Sequence, residues 1–266
     1  ENGQRQGHQV PLDQGNQEQV MRPIVNRFAD ANQVAVAAAE ALKSKLVELL
    51  DSQEVAQVAL TGGTVGIATL ARFAELDGLD NIDFTRVHFW WGDERFVERD
   101  SGDRNAVQAR NAMFRHLSVS EANIHEFPAA DEGRTLDQAA GDFAELLASF
   151  GQGADAHPRF DVILLGMGPD GHIASLFPGK PMPPVGATVV AEHDSPKPPP
   201  ARLSFSYDLI NSADEVWFVV AGADKAEAVS VAFSDEPEAL PVGRIHGKNK
   251  TVWFVDQTAG VRTWGC

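Results

Sequence analysis

Apolar residues recur at every third or fourth position in some parts of the chain and form short unbroken runs in others. Five stretches have the helical spacing and predict helices: residues 31–50, 65–75, 105–117, 136–150 and 224–233. Six short apolar runs predict strands: residues 57–60, 86–91, 160–165, 202–206, 215–221 and 251–256. Strands that alternate with helices are typical of an α/β protein whose sheet is largely parallel and carries helices on both faces.

Two segments do not follow this alternation. Residues 1–20 are rich in Gln, Asn and Gly and lack the basic and apolar regions of a secretory signal, so we interpret them as a flexible tail or a segment foreign to the natural chain. Residues 21–266 are expected to form a single α/β domain. Residues 178–200 contain eight prolines, which exclude a continuous helix. We expect a long surface loop there, either a lid over a ligand or a plain insertion.

Charge and composition narrow the choice of ligands. The formal net charge of -16 repels polyanions, which argues against nucleic acid or an anionic membrane as a partner. Cys266 is the one cysteine, so an intramolecular disulfide and a thiolate metal cluster are excluded, and a cytoplasmic location is expected. The histidines show no metal-ligand spacing, so no metal is expected. The predicted assembly is a monomer or a weak homodimer.

Polar and glycine-rich segments follow four of the predicted strands directly. They are residues 61–64, 92–95, 166–172 and 222–225. In open parallel sheets, ligands bind beyond the carboxyl ends of the strands, where such loops converge. The four segments therefore predict one shared site at that edge of the sheet.

A glycine loop and two cations predict a phosphate subsite. Gly62 and Gly63 lack Cβ atoms, so backbone amides can approach an anion, and with Thr64 they lead into a helix whose positive end points there. Arg202 and Lys225 are candidate phosphate partners on a chain this acidic. An ordinary tight turn with two surface cations is the alternative interpretation.

His172 is the strongest candidate for acid–base chemistry. It follows Gly171 at the mouth of a buried strand and at the expected beginning of a short helix, with the acidic Asp170 close by. Asp93 and Arg95 end another predicted strand, where successive residues point in different directions, and we choose these two as the residues that face the ligand. A structural histidine and a solvated charged turn are the alternatives.

Gly166, Gly168 and Gly171 also satisfy the pattern G-x-G-x-x-G of dinucleotide-binding folds. That fingerprint needs a full helix and then a second strand that ends in an acidic residue. Here Pro178 and Gly179 stop any helix after little more than one turn. The context therefore disfavours a nicotinamide cofactor.

Several motifs resemble those of the 6-phosphogluconolactonases, within the glucosamine-6-phosphate isomerase/6-phosphogluconolactonase family. Residues 166–179, which read Gly-Met-Gly-Pro-Asp-Gly-His-Ile-Ala-Ser-Leu-Phe-Pro-Gly, closely resemble the signature of that family. The other motifs are Gly62-Gly63, residues 93–97 with Asp100 and Asn105, residues 202–204 and residues 222–226. They occur in the family's order, and the similarity covers nearly everything from about residue 24 to residue 256.

The resemblance implies a modified Rossmann-like fold related to the glucosamine-6-phosphate deaminases and ribose-5-phosphate isomerases. It also implies hydrolysis of 6-phosphogluconolactone without a cofactor, in the oxidative pentose phosphate pathway. His172 would be the catalytic histidine, and Arg95 a cation at the reaction centre. The residues taken to bind the phosphorylated sugar lactone are Gly62, Gly63, Thr64, Asn105, Gly171, Arg202 and Lys225.

The expected mechanism is general-base catalysis. Neutral His172 would take a proton from the attacking water and return one to the ring oxygen, while Arg95 and nearby backbone amides would stabilise the oxyanion. Either Asp170 or Asp93 would orient the histidine or the water. Arg104 departs from the family pattern, adds a charge near the site and leaves the role of Asn105 open.

Two alternatives remain beside the lactonase. Aminosugar-phosphate deaminases and isomerases share the Asp-Gly-His motif, but they resemble Ile-Ala-Phe-Asn-Glu-Pro after the histidine, whereas this chain continues with Ile173-Ala174-Ser175. A non-catalytic sugar-phosphate sensor would keep the phosphate cradle and lose the base. The presence of His172 argues against the sensor.

Overall fold

Strands and helices alternate along most of the chain in the computed structural model, which describes residues 22–151 and 157–260. The strands are β1 (Ile24–Phe28), β2 (Ala56–Leu60), β3 (Val87–Trp91), β4 (Asp93–Arg95), β5 (Val162–Leu165), β6 (Val189–Glu192), β7 (Arg202–Phe205), β8 (Glu215–Val220) and β9 (Lys250–Asp256). The α-helices are α1 (Ala31–Ser52), α2 (Gly63–Ala74), α3 (Asn105–Ala112), α4 (Leu136–Ser149), α5 (Tyr207–Asn211) and α6 (Ala226–Ala232). Short 3-10 turns lie at Leu79–Asn81, Phe84–Arg86, Phe114–His116, Glu121–Asn123, Ala130–Glu132, Ala223–Lys225, Pro237–Ala239 and Pro241–Arg244.

Six of these strands form one parallel sheet in the order β1-β9-β8-β5-β2-β3. A second, antiparallel sheet has the order β4-β7-β6. Since all the strands of the large sheet run the same way, their carboxyl ends meet at one edge. The predicted site segments after β2, β5 and β8 therefore converge there.

Helices cover both faces of the large sheet. Successive residues of a strand point to opposite faces, and β8 has contacts on both. Glu215 lies 3.0 Å from Lys45 Nζ of α1, whereas Phe218 stacks on Trp253, which contacts Phe233 at the end of α6. The predicted α/β class, with a largely parallel sheet between helices, is confirmed.

The apolar spacing of α1 explains how that helix packs. Its seven buried residues are at most 7% exposed: Val34, Ala35, Ala38, Ala39, Leu42, Leu46 and Leu49. Burying one leucine side chain stabilises the fold by about 1.5–3 kcal/mol. The carboxylate of Asp30 accepts a hydrogen bond from Gln33 N at 2.9 Å and so caps the start of the helix.

Three strands lie where the sequence predicts none: β1, β6 and the three-residue β4, which is part of the site described below. β1 includes Asn26 and Arg27 among its five residues, so it lacks both an apolar run and strict alternation. Parallel pairing with β9 holds it at the edge of the sheet. β6 lies within residues 178–200, where the prolines predict a loop, and it is held by pairing with β7. Pairing with another strand, rather than local pattern, forms β1 and β6.

Some boundaries differ from the prediction. α3 ends at Ala112 and a 3-10 turn follows, so the predicted helix over residues 105–117 is shorter. α6 begins at Ala226, after the turn Ala223–Lys225. The predicted tail over residues 1–20 lies outside the described residues. Of the described helices, none is long and apolar enough to cross a membrane.

Candidate active site

A cavity of about 540 Å³ opens at the carboxyl edge of the parallel sheet. Nine of the eleven site residues predicted from the sequence line it: Gly62, Gly63, Thr64, Asp93, Arg95, Asn105, His172, Arg202 and Lys225. Asp170 and Gly171 are not in its lining. The predicted convergence of strand-end segments therefore brings most of these residues to one place.

His172 is held by Asp170. The imidazole Nδ1 lies 2.6 Å from Asp170 Oδ1. When Nδ1 carries the proton and donates it to this carboxylate, Nε2 keeps a lone pair and can act as a base. Burial lowers the pKa of His172, although Asp170 acts in the opposite direction. A side chain on Gly168 would lie 2.0 Å from Nδ1, so the approach of the ring requires glycine there.

The segment after His172 is a tight turn and not the expected short helix. Ile173 and Leu176 exchange backbone hydrogen bonds, and Ala174 takes the left-handed φ of 50°. Because no helix follows the glycines of residues 166–171 in the described residues 166–188, the structure also lacks the element that a dinucleotide fingerprint requires at this point. The turn directs Ser175 Oγ to Asp93 Oδ2, to which it donates at 2.7 Å.

Asp93 and Arg95 lie on a strand rather than in the predicted loop. β4 pairs with β7, which sets Asp93 opposite Ser204 and Arg95 opposite Arg202. Because side chains alternate along a strand, Asp93 and Arg95 share the cavity side, and Glu94 points the other way. The choice of these two residues as cavity-facing agrees with this geometry.

Asn105 connects these side chains to the glycine loop. Its amide nitrogen donates to the backbone oxygen of Asp93 at 2.8 Å, and its Oδ1 accepts from Arg95 Nη1 at 2.5 Å. A side chain on Gly62 would lie 1.9 Å from Asn105 Oδ1, so these two segments touch. Within the described residues, the guanidinium of Arg95 donates only through Nη1, which leaves Nη2 for a ligand.

Glu94 supports the site from behind. Its carboxylate accepts from the backbone N–H groups of Arg95, Asn105 and Ala106 at 2.7–2.9 Å, the last two of which begin α3. Burial raises the pKa of Glu94 to about 7, although these donors and Arg104 favour the charged form. The sequence predicts that Arg104 adds a charge near the site. Arg104 is fully buried, donates to Phe127 O and does not line the cavity.

The residues of the predicted phosphate subsite form another part of the cavity lining. Gly63 has a φ of 76° and begins α2 with Thr64, so the helix directs its N-terminal amides into the cavity. Lys225 Nζ lies 3.0 Å from Asp224. Arg202 donates to three backbone carbonyls of residues 197–199 through Nε and Nη2, and among the described residues its Nη1 has no partner.

The position of Gly171 and the position of Lys197 relative to the cavity differ from the sequence prediction. Gly171 was a predicted ligand-binding residue, but a side chain there would meet Leu240 at 2.7 Å, and its carbonyl accepts from Val242 N. Gly171 therefore lies in a packed turn, and its left-handed φ of 76° explains why glycine is needed there. Lys197 was missed: it lines the cavity from within the predicted surface loop. Nothing in the proline-rich pattern distinguishes this lysine from Lys180.

Fold and cavity together define an α/β protein with a histidine–aspartate pair at a cavity that is also lined by the cationic side chains of Arg95, Lys197, Arg202 and Lys225. The family model of glucosamine-6-phosphate isomerases/6-phosphogluconolactonase matches residues 29–253. The chain belongs to this family.

Curated relatives and solved structures agree with that assignment. A 6-phosphogluconolactonase of Mycobacterium leprae is 37% identical over 249 residues, which cover 92% of this chain and 100% of the relative. One of Streptomyces coelicolor is 40% identical over 236 residues, covering 86% and 90%. The crystal structure of a 6-phosphogluconolactonase from Leishmania guyanensis has a TM-score of 0.78 at 26% identity, covering 92% and 100%.

Proposed function

We propose that this protein hydrolyses 6-phosphogluconolactone to 6-phosphogluconate, the reaction for which its relatives are named. The observation that carries the proposal is the His172–Asp170 pair. Nε2 of His172 is free to act as a base, and the cavity is also lined by several cationic side chains. A lactone is an activated ester, so a positioned water and stabilisation of developing charge are enough to open it.

His172 carries out both proton transfers in the proposed mechanism. Nε2 takes a proton from water as the water oxygen bonds to C1 and the carbonyl electrons move onto oxygen. When the tetrahedral intermediate collapses, the bond between C1 and the ring oxygen breaks, and His172 returns the proton to that oxygen. Asp170 keeps Nδ1 protonated and stabilises the imidazolium that forms between the two transfers.

Arg95 is the proposed partner of the oxyanion. Its Nη1 is fixed by Asn105 and by the backbone oxygen of Asp103, so the guanidinium is already oriented before substrate arrives. A fixed donor at an oxyanion is worth about 3–4 kcal/mol in the transition state. The phosphate at the far end of the sugar would bind between the start of α2, Lys225 and Arg202, and would align C1 with His172.

Freshly generated 6-phosphogluconolactone provides the direct test. The protein should accelerate formation of 6-phosphogluconate above the spontaneous rate measured in the same buffer. No acceleration, together with tight binding of 6-phosphogluconate, would favour the sensor. Release of ammonia from glucosamine 6-phosphate would favour the deaminase.

The acid limb of the pH profile follows from the surroundings of His172. Burial lowers its pKa below the ordinary value of 6.5. A base works only when it is unprotonated, so activity is retained above this pKa and is lost as pH falls through it. We therefore expect kcat/KM to have an acid limb centred below pH 6.5. A limb centred above that pH, after subtraction of spontaneous hydrolysis, would contradict the assignment of His172 as the base.

Removing a subsite cation is expected to weaken substrate binding. For Lys225→Ala, KM should rise about tenfold or more with kcat nearly unchanged, because a charge-assisted hydrogen bond is worth about 1.5–3 kcal/mol. Arg202→Ala should raise KM and also lower kcat, since Arg202 holds residues 197–199 beside His172. The exposed Lys248 offers the matched control, Lys248→Ala. An unchanged KM in Lys225→Ala would remove this residue from the phosphate subsite.

Location and assembly stay predictions. The single cysteine supports the proposal of a cytoplasmic enzyme. A monomer or weak homodimer is proposed, and sedimentation at several protein concentrations would test it.

A further inference from the structure

Lys197 lies against the histidine–aspartate pair. Its Nζ is 3.3 Å from Asp170 Oδ1 and 3.2 Å from His172 Nδ1. The same carboxylate oxygen accepts from His172. One oxygen therefore interacts with two donors, the ammonium and the imidazole.

The backbone that carries Lys197 is fixed from two sides. Arg202 Nη2 donates to the carbonyl oxygen of Lys197 at 3.1 Å, and Lys197 N donates to Ser195 Oγ at 3.2 Å. The ammonium lies at the end of a side chain that is 38% exposed, so solvent does not fully screen it from the pair. This placement is a property of the folded loop and does not depend on a ligand.

We propose that Lys197 is a positioning residue that fixes the Asp170 carboxylate against His172 Nδ1 and keeps the imidazole uncharged in the free enzyme. The proposal rests on the proposed role of His172 as the base. An imidazolium would place a second positive charge 3.2 Å from the ammonium, while Asp170 already interacts with Lys197. The neutral imidazole, which donates through Nδ1 and accepts through Nε2, is favoured instead.

The other charges that face His172 do not replace this effect. Asp93, from β4, favours the imidazolium, as Asp170 does, whereas Lys197 opposes it. Arg95 and Arg202 line the same cavity, but within the described residues their guanidinium groups donate hydrogen bonds to Asn105 and to backbone carbonyls rather than to His172. Lys197 is the cation in direct contact with the ring among the described residues.

A matched control lies in the same segment. Lys180 Nζ contacts Glu192 Oε1 at 3.0 Å and the backbone oxygen of Asp194 at 2.5 Å, and it is not part of the cavity lining. Lys180→Met removes the same charge from the same proline-rich region without touching the pair. Lys197→Arg keeps the charge of the tested position.

The decisive measurement is an NMR titration of the His172 imidazole in the ligand-free protein, with its signal assigned by loss in His172→Asn. Lys197→Met should raise the pKa of His172 by about half a unit to one unit, a shift limited by the exposure of the lysine. Lys197→Arg and Lys180→Met should stay near the wild-type pKa. An unchanged or lowered pKa in a folded Lys197→Met protein would overturn the proposal.

Kinetics separate a positioning role from direct substrate contact. In Lys197→Met, the acid limb of kcat/KM should move to higher pH by the same shift, with KM changed less than about twofold. A raised KM with an unmoved acid limb would make Lys197 a substrate contact and overturn the positioning role. Because the NMR titration needs no substrate, the proposal about Lys197 is tested even if the wild-type protein fails to hydrolyse the lactone.

Discussion

Replacing His172 with alanine is expected to lower kcat by about a hundredfold or more, while KM changes less than about twofold. The substitution removes the group that accepts the proton of water. It leaves the cationic side chains of the cavity and the start of α2 in place. Residual activity should come from the oriented Arg95 and from alignment of the substrate. The measurement is a steady-state assay on freshly generated lactone.

The chain supplies a matched control for this variant. His193 Nε2 lies 3.0 Å from Asp137 Oδ1, so it forms a second histidine–aspartate pair, but its side chain is 61% exposed and lies outside the cavity. His193→Ala should keep wild-type kcat and KM. Near-normal turnover in His172→Ala, with a folded protein, would refute the assignment of the base.

Replacing Glu94 with alanine is expected to lower the free energy of unfolding more than any other substitution proposed for this protein. The carboxylate accepts three backbone N–H groups and lies 3.9 Å from the buried Arg104 Nε. At a pH above the Glu94 pKa of about 7, removing a buried charged partner of this kind costs about 3–5 kcal/mol, because the remaining charge and donors stay uncompensated. Urea denaturation should show a lower midpoint. Activity should also fall, since the start of α3 carries Asn105, which orients Arg95.

An exposed acid–base pair provides the comparison for Glu94. The side chain of Glu121 is 75% exposed and pairs with Arg110. Glu121→Ala should change the free energy of unfolding by at most about 1 kcal/mol, as for other surface ion pairs. Equal losses in the two variants would contradict the role assigned to Glu94.

Local pattern was enough to predict most of the cavity. His172 and the glycine loop at residues 62–64 follow strands whose apolar runs are plain in the sequence, and parallel strands bring such ends together. The alternation of an extended segment also separates Asp93 and Arg95 from Glu94. These conclusions need only the period of the pattern and the direction of the strands.

Other parts of the site depend on contacts that no local pattern reveals. Lys197 reaches the pair because Arg202 binds the carbonyl groups of its loop. The turn after His172 replaces a helix because Ser175 is held by two distant strands: its Oγ donates to Asp93 and its backbone N–H donates to Ser204 Oγ. In each case, the partner that decides the conformation is identified only by the three-dimensional fold.

The pairing of β1 with β9 bears on how the protein forms during translation. β1 is the first described strand to be synthesised, yet its sole partner in the sheet is the last one, with Ile24 opposite Val252. Contacts between such distant positions slow folding, and N-terminal regions emerge from the ribosome first. A nascent chain that has not reached residue 250 has no docking place for β1 and lacks Asp256, which lines the cavity. Completion of the sheet, and with it this wall of the cavity, must therefore wait until residues 250–256 have been synthesised.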